Sequence, residues 1–133
     1  MTANVLHKEL SYAIQGAFYD VANKYGKGLK EIIYQKALSE ELTRRNLKHE
    51  REKRIAIYSK DTGKQLGVYV PDFVVEDKIL IELKAAEFTV KGNVQQQLSY
   101  LKASEYEVGY LVNFGTPRLD IRRVIYTNDR KHG

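Results

Sequence analysis

Seven residues near the middle of the chain, Lys78-Ile79-Leu80-Ile81-Glu82-Leu83-Lys84, constrain the fold more than any other stretch. Their apolar content is too high for an exposed edge, so the segment reads as a central strand covered on both faces. Glu82 and Lys84 are two apart and project from the same side, while Ile79, Ile81 and Leu83 project from the other into a core. A charged pair in a central strand costs roughly several kcal/mol to desolvate unless something compensates it. The compensation is either a bound cation or a plain salt bridge.

The segments around this strand alternate in period. Leu6, Leu10, Ala13, Ile14, Ala17, Phe18, Val21 and Tyr25 recur at three- and four-residue steps, which predicts an amphipathic helix with one buried stripe. Gly26-Lys27-Gly28 interrupts it, and a second helix follows through Ile32, Ile33, Ala37, Leu38 and Leu42 to about Asn46. From His49 the period falls to two. Ile55 and Ile57 alternate with polar neighbours, Asp61-Thr62-Gly63 reads as a turn, and Leu66, Val68 and Val70 alternate again, giving a hairpin whose second strand runs on through Phe73-Val74-Val75. A third helix is predicted from about Gly92 to Ser104 with Val94, Leu98 and Leu101 inward. Strands at Gly109–Val112 and Leu119–Tyr126 flank a turn at Gly115-Thr116-Pro117. The order ααβββαββ implies an α/β fold, a mixed β-sheet with helices on its faces.

With 133 residues the chain has room for one core, so residues 1–127 are expected to form a single domain and 128–133 a disordered tail. The absence of cysteine excludes disulfides and thiolate chemistry. No apolar run approaches membrane-spanning length, and Met1-Thr2-Ala3-Asn4-Val5 lacks the order of a signal peptide, so the expected location is the cytoplasm. A net charge of +5 suits an anionic partner such as nucleic acid, and equally suits a solvated surface with a mild cation excess.

The residues able to do chemistry lie close together: Asp72 after Pro71, then Glu82 and Lys84. In an antiparallel hairpin, opposed residues share a face. A three-residue loop at Glu76-Asp77-Lys78 opposes Asp72 to Glu82 with Cβ atoms about 5 Å apart, within bridging distance of one metal ion. A two-residue turn at Glu76-Asp77 instead sends Asp72 to the other face. His7, His49 and His132 have no partner at ligand spacing, and no Ser-His-Asp or Cys-His grouping can be assembled. The ten tyrosines fall mostly on apolar faces and serve first as core.

Pro71-Asp72 followed ten residues later by Glu82-Leu83-Lys84 resembles the PD-(D/E)xK signature of the restriction-endonuclease-like superfamily. Gly28-Leu29-Lys30-Glu31 with Tyr34 and Ala37-Leu38 resembles the helical motif of the GxxExxxR proteins, a small bacterial family within it. Ile81–Ala85, Glu87, Gln96–Lys102 and Val112–Gly115 running on to Pro117-Arg118-Leu119 agree, so the resemblance spans about Ile14 to Val124. Two positions depart from that family: Gln35 stands where it has Arg, and Asn93 where it often has His.

The resemblance implies a restriction-endonuclease-like core and metal-dependent hydrolysis of a phosphodiester, in DNA before RNA. Asp72, Glu82 and Glu31 would hold Mg2+, for which Mn2+ would substitute. Lys84 and Gln96 would serve the reaction, joined by Glu31, and Gln96 with Tyr100 resembles the QxxxY element of RecB-like nucleases. Glu31 has a competing structural role, because with Gly28 as N-cap it falls at the third helical position and bonds back to the cap. Tyr100 likewise borders the Leu98–Leu101 stripe and serves as core or as support for Gln96. Arg118, Arg122 and Arg123 are expected to contact the nucleic-acid backbone, and Tyr100 is expected among the nucleic-acid-binding residues as well. The alternative is a nucleic-acid-binding module without turnover on the same fold. A domain this small often needs a second copy to span a duplex, so a homodimer is an expected partner state.

Overall fold

The computed structural model describes residues 6–131; Met1–Val5 and the tail residues His132 and Gly133 lie outside them. Helix α1 spans Lys8–Tyr25 and buries Ile14, Ala17, Phe18 and Val21, but Tyr25, expected on that stripe, is 45% exposed. Gly26 ends the helix at φ 64°, a left-handed conformation that glycine adopts without a Cβ penalty, and its N–H bonds to the Ala22 carbonyl at 2.9 Å. Helix α2 runs Glu31–Arg44 with Lys30, not Gly28, at its N-cap, so Glu31 is the first helical residue and makes no capping box. Its buried stripe is Tyr34, Leu38 and Leu42, and the expected inward residues Ile32 and Ile33 face outward. Spacing alone allowed either stripe, and the aromatic one won the core. Glu41 is buried between the two helices, where Lys24, Arg44 and Arg45 surround its carboxylate.

The expected architecture forms, with the block of three strands between the second and third helices subdivided into five. Strands β1 (His49–Arg51), β4 (Phe73–Val75), β5 (Ile79–Lys84), β6 (Val108–Asn113) and β7 (Asp120–Ile125) make a mixed sheet in the order β1-β4-β5-β6-β7. The β5–β6 pair is parallel and the other pairs antiparallel, with helix α3 (Lys91–Ala103) crossing between β5 and β6. Strands β2 (Ile55–Tyr58) and β3 (Gln65–Tyr69) form a separate two-stranded sheet.

The expectation that β3 continues into Phe73-Val74-Val75 is therefore corrected. Pro71 has no N–H for a ladder and restricts Val70, so the chain changes sheets there. The inward face of β3 is corrected too: Tyr69 is buried, while Leu66 and Val70 are exposed. Tyr69 pairs with Ile55 and shares its buried face, which puts Val68 on the other side, and the register shift between Ile57 and Tyr58 falls farther along, at Leu66.

Two cores sandwich β5. Ile79, Ile81 and Leu83 pack with the buried stripes of α1 and α2, as the alternation predicts. Leu80 and Val74 turn the other way, onto Leu101 of α3 and onto Ile55 and Tyr69 of the small sheet. The segment expected to be a disordered tail begins with a short helix, α4 (Asn128–Lys131), whose Lys131 ammonium donates to the Ser104 and Tyr106 carbonyls at 2.8 and 2.7 Å.

Beyond β5 and β6 the two loops touch. A Cβ on Gly115 would stand 2.6 Å from the backbone N and O of Ala86, so only glycine permits this approach. Gly67, by contrast, has open space around it. Gly115→Ala is expected to destabilise the protein by about 1–3 kcal/mol through overpacking, against less than about 0.5 kcal/mol for Gly67→Ala, read by chemical denaturation. Equal effects would show that the loop contact is not tight.

Candidate active site

The β4–β5 register pairs Val75 with Ile79, Val74 with Leu80 and Phe73 with Ile81, and one further step sets Asp72 opposite Glu82. The loop has the three residues Glu76-Asp77-Lys78, with Glu76 and Asp77 left-handed at φ 53° and 51° and the Lys78 N–H bonded to the Val75 carbonyl. Both carboxylates thus occupy one face of the sheet, and Lys84 follows on that same face two residues beyond Glu82.

Each carboxylate is half-buried and held by a neutral donor. The Leu83 N–H donates to Asp72 Oδ2 at 2.7 Å. The Tyr69 hydroxyl donates to Glu82 Oε2, and the Asp72 N–H also bonds the Glu82 carboxylate. Among the described residues neither carboxylate forms an ion pair, unlike the buried Glu41 with its three cations.

The electrostatics follow. Burial pushes the Glu82 carboxyl up to about 7; the negative charge of Asp72 adds to the rise, and the Tyr69 hydrogen bond and Lys84 oppose it. Burial also raises Asp72, against the Leu83 N–H and Lys84; Glu52 adds to the rise and Arg51 opposes it. Glu31, at the first turn of α2, is raised by its own burial, with the Lys84 charge opposing and the Asp72 charge adding to the rise. Among the described residues no three His, Asp or Glu side chains stand together as a ready metal cage, so the assembled donors are the Asp72–Glu82 pair with Glu31 farther out.

Tyr69 and Tyr100 stack with ring centroids 4.0 Å apart and planes at 7°. Burial and the Glu82 charge hold the Tyr69 phenol well above its ordinary pKa, so it is a donor throughout the neutral range. Tyr100 therefore reaches the carboxylates through Tyr69. Gln96 is exposed one turn earlier on α3, on the same helical face as Tyr100.

The arginines separate. Arg118 is exposed in the loop after β6, and Arg122 is exposed but paired with Asp120 at 2.8 Å. Arg123 pairs in register with Tyr110, on the α1 side of the sheet, and donates to the Leu6 carbonyl at 2.7 Å. It is occupied on the face opposite Glu82, and the structure does not bring it to the carboxylates. Gln35 accepts a hydrogen bond from Arg51 Nη2 at 2.8 Å, and that arginine is one of the cations Asp72 senses.

Sequence reasoning missed Tyr69, whose buried side is set by its pairing with Ile55, as well as Arg51 and Glu52, which reach Asp72 only because β1 pairs with β4. It also missed Asn113, 1% exposed, whose Oδ1 accepts the N–H groups of Ala86 and Gly115 at 3.1 and 2.9 Å and so joins the loops beside Lys84. In the sequence it stood only as a polar residue ending an apolar strand, within the Val112–Gly115 stretch of the resemblance and with no role assigned.

A carboxyl raised in the folded state binds a proton there that the unfolded chain has lost, so folding stability falls as pH rises across that interval. For Glu82 the interval runs from its ordinary 4.5 to about 7. In EDTA, the unfolding free energy should drop by on the order of 3 kcal/mol between these limits, and Glu82→Gln should flatten the slope. An unchanged slope in that variant would show that Glu82 is not the group responsible.

A family model described as the PD-(D/E)XK nuclease superfamily matches residues 8–124. No curated protein matches the chain. A solved structure, the crystal structure of SSO0001, is similar at a TM-score of 0.47 and 16% identity, over 92% of this chain and 80% of that one. Among the described residues no helix is long and apolar enough to cross a membrane. With the superfamily model spanning nearly the whole chain, from the first turn of α1 to the last strand, this protein belongs to the PD-(D/E)XK nuclease superfamily.

Proposed function

We propose that this protein is a Mg2+-dependent nuclease that hydrolyses phosphodiester bonds, in DNA before RNA, and that it sits in the GxxExxxR branch of its superfamily. The observation that carries the reading is the opposition of Asp72 and Glu82 across β4 and β5 with no cation paired to either among the described residues.

The donor set fits a hard divalent ion. Two carboxylates of neighbouring strands offer oxygen ligands, and Mg2+ keeps several waters, so a complete protein cage is not required. The raised proton affinity of both groups is the mark of negative charge that burial leaves uncompensated. Asp72 and Glu82 would hold the ion, with Glu31 as a further candidate ligand. When bound, the ion supplies a polarised phosphate and a water that ionises near neutral pH.

The remaining roles belong to the chain itself. The Leu83 N–H and the Tyr69 hydroxyl fix the two carboxylates. Lys84 is tied at its carbonyl by the Phe114 N–H at 2.9 Å, so its ammonium extends from a fixed backbone and can orient the attacking water or balance charge growing on the phosphate. Gln96 would position the nucleophile or a phosphate oxygen from α3. Arg118 and Arg122 would meet the flanking backbone, an affinity that falls with salt.

Asp72→Asn and Glu82→Gln should each reduce Mn2+-dependent cleavage of plasmid and oligonucleotide substrates to background while the circular dichroism spectrum is kept. Undiminished turnover in either variant would remove the metal assignment. Lys84→Ala should cut kcat by about 10²–10³-fold with a smaller change in substrate affinity; equal losses would make Lys84 a phosphate anchor. Salt-sensitive binding without Mn2+-dependent cleavage by the unmodified protein would replace the enzyme by a binding module.

A further inference from the structure

One end of the molecule gathers three loops around Lys84. The β5–α3 loop leaves directly from Lys84, and the β6–β7 loop leaves from Asn113, its register partner. The α1–α2 loop is drawn to the same end: Tyr34 stacks on Phe114 at 4.9 Å, and its hydroxyl accepts the Leu29 N–H and donates to the Gly26 carbonyl.

These loops expose large apolar side chains that no core needs. Phe88 is 74% and Val90 58% exposed on the β5–α3 loop, Leu29 is 37% exposed on the α1–α2 loop, and Ile32, in the first turn of α2, is 46% exposed. The Phe88 ring is nevertheless not on a free strand of chain. On one side the Ala86 N–H bonds to Asn113 Oδ1 at 3.1 Å. On the other the Thr89 hydroxyl donates to Asp120 at 2.6 Å and accepts from Asn113 Nδ2 at 3.2 Å. A phenyl ring is thus presented to water on a backbone fixed at both flanks.

Charge says what would cover it. Exposed cations neighbour the apolar residues: Lys30 follows Leu29, Lys91 follows Val90, and Arg118 lies in the third loop, with Glu87 the carboxylate on the Phe88 loop. An apolar dimer face would exclude charge from its centre. The outside of an intact duplex offers phosphates but no base face. Interleaved apolar groups and cations match a strand whose bases are unpaired, where rings stack on bases and cations follow the backbone.

We infer that this end of the molecule binds nucleic acid with unpaired bases, and that Phe88 stacks on a base beside the phosphate at Lys84. Four residues from Lys84, its Cα can be at most about 14 Å away. The inference deepens the nuclease reading, since that reading puts the phosphate at Lys84. It selects single strands, flaps or frayed ends over continuous duplex as substrate.

The test is fluorescence anisotropy in EDTA, so that binding is read without cleavage, using fluorescein-labelled oligonucleotides of about 15 nucleotides as single-stranded DNA, single-stranded RNA and a blunt hairpin duplex. One or both single strands should bind about tenfold more tightly than the hairpin. Phe88→Ala should weaken the tighter single strand about tenfold and the hairpin less than about twofold, with Phe88→Trp restoring affinity. Equal loss on both, no loss, or no measurable binding to any probe overturns the inference. So does a Phe88→Ala change that dissolves a dimer in sedimentation while leaving oligonucleotide affinity unchanged. Failure of the nuclease reading shows separately, as absent Mn2+-dependent cleavage with these binding differences intact.

Discussion

Two carboxylates that face each other across adjacent strands repel, and every step away from water makes the repulsion stronger. The fold does not remove this conflict at Asp72 and Glu82; it supports it with a backbone N–H and a phenol, donors that orient an anion without cancelling its charge. The same chain shows that cancellation was available to it. At Glu41, between α1 and α2, Lys24, Arg44 and Arg45 converge on one buried acid, and the result is a clamp between helices. The one carboxylate is neutralised by cations, and the other two keep hydrogen bonds from neutral donors with no ion pair among the described residues.

That arrangement depends on cover from both sides. Ile79, Ile81 and Leu83 seat β5 against α1 and α2, which leaves Glu82 and Lys84 only the opposite face. There α3 and the small β2–β3 sheet close over Leu80 and bring Tyr100 onto Tyr69, so that a residue of the crossover helix bears on the Glu82 carboxylate through an intervening ring. At the end of the strand, Asn113 and the Gly115–Ala86 approach hold the neighbouring loops together, and Lys84 stands where these supports meet.

Much of this was legible beforehand because side-chain direction in a strand is fixed by period two. The same-side placement of Glu82 and Lys84 needed no partner, and the opposition of Asp72 and Glu82 needed only the length of one loop. The β3 strand shows where such reasoning fails. Its alternation pointed Leu66 and Val70 inward, yet the pairing of Tyr69 with the buried Ile55 turned the other face to the core and left both in water. Ile32 and Ile33 fail for a related reason: on a helix with several apolar residues, the surface offered by the neighbouring elements selects the stripe, and here Tyr34 fitted against Phe114.

Local order therefore determined the three long helices, the central strand and the shared side of Glu82 and Lys84, since each depends on spacing along the chain, whereas the length of the loop that sets Asp72 toward Glu82 was left open until the fold chose it. Only the tertiary structure decided that Tyr69 would hold Glu82, that Arg123 would turn to the far side, and that Phe88 would stand in water on a pinned loop. Those placements depend on which strands become neighbours and which sheet a strand joins. The free energies that decide them lie in contacts between residues far apart in sequence, and no periodicity within a segment records them.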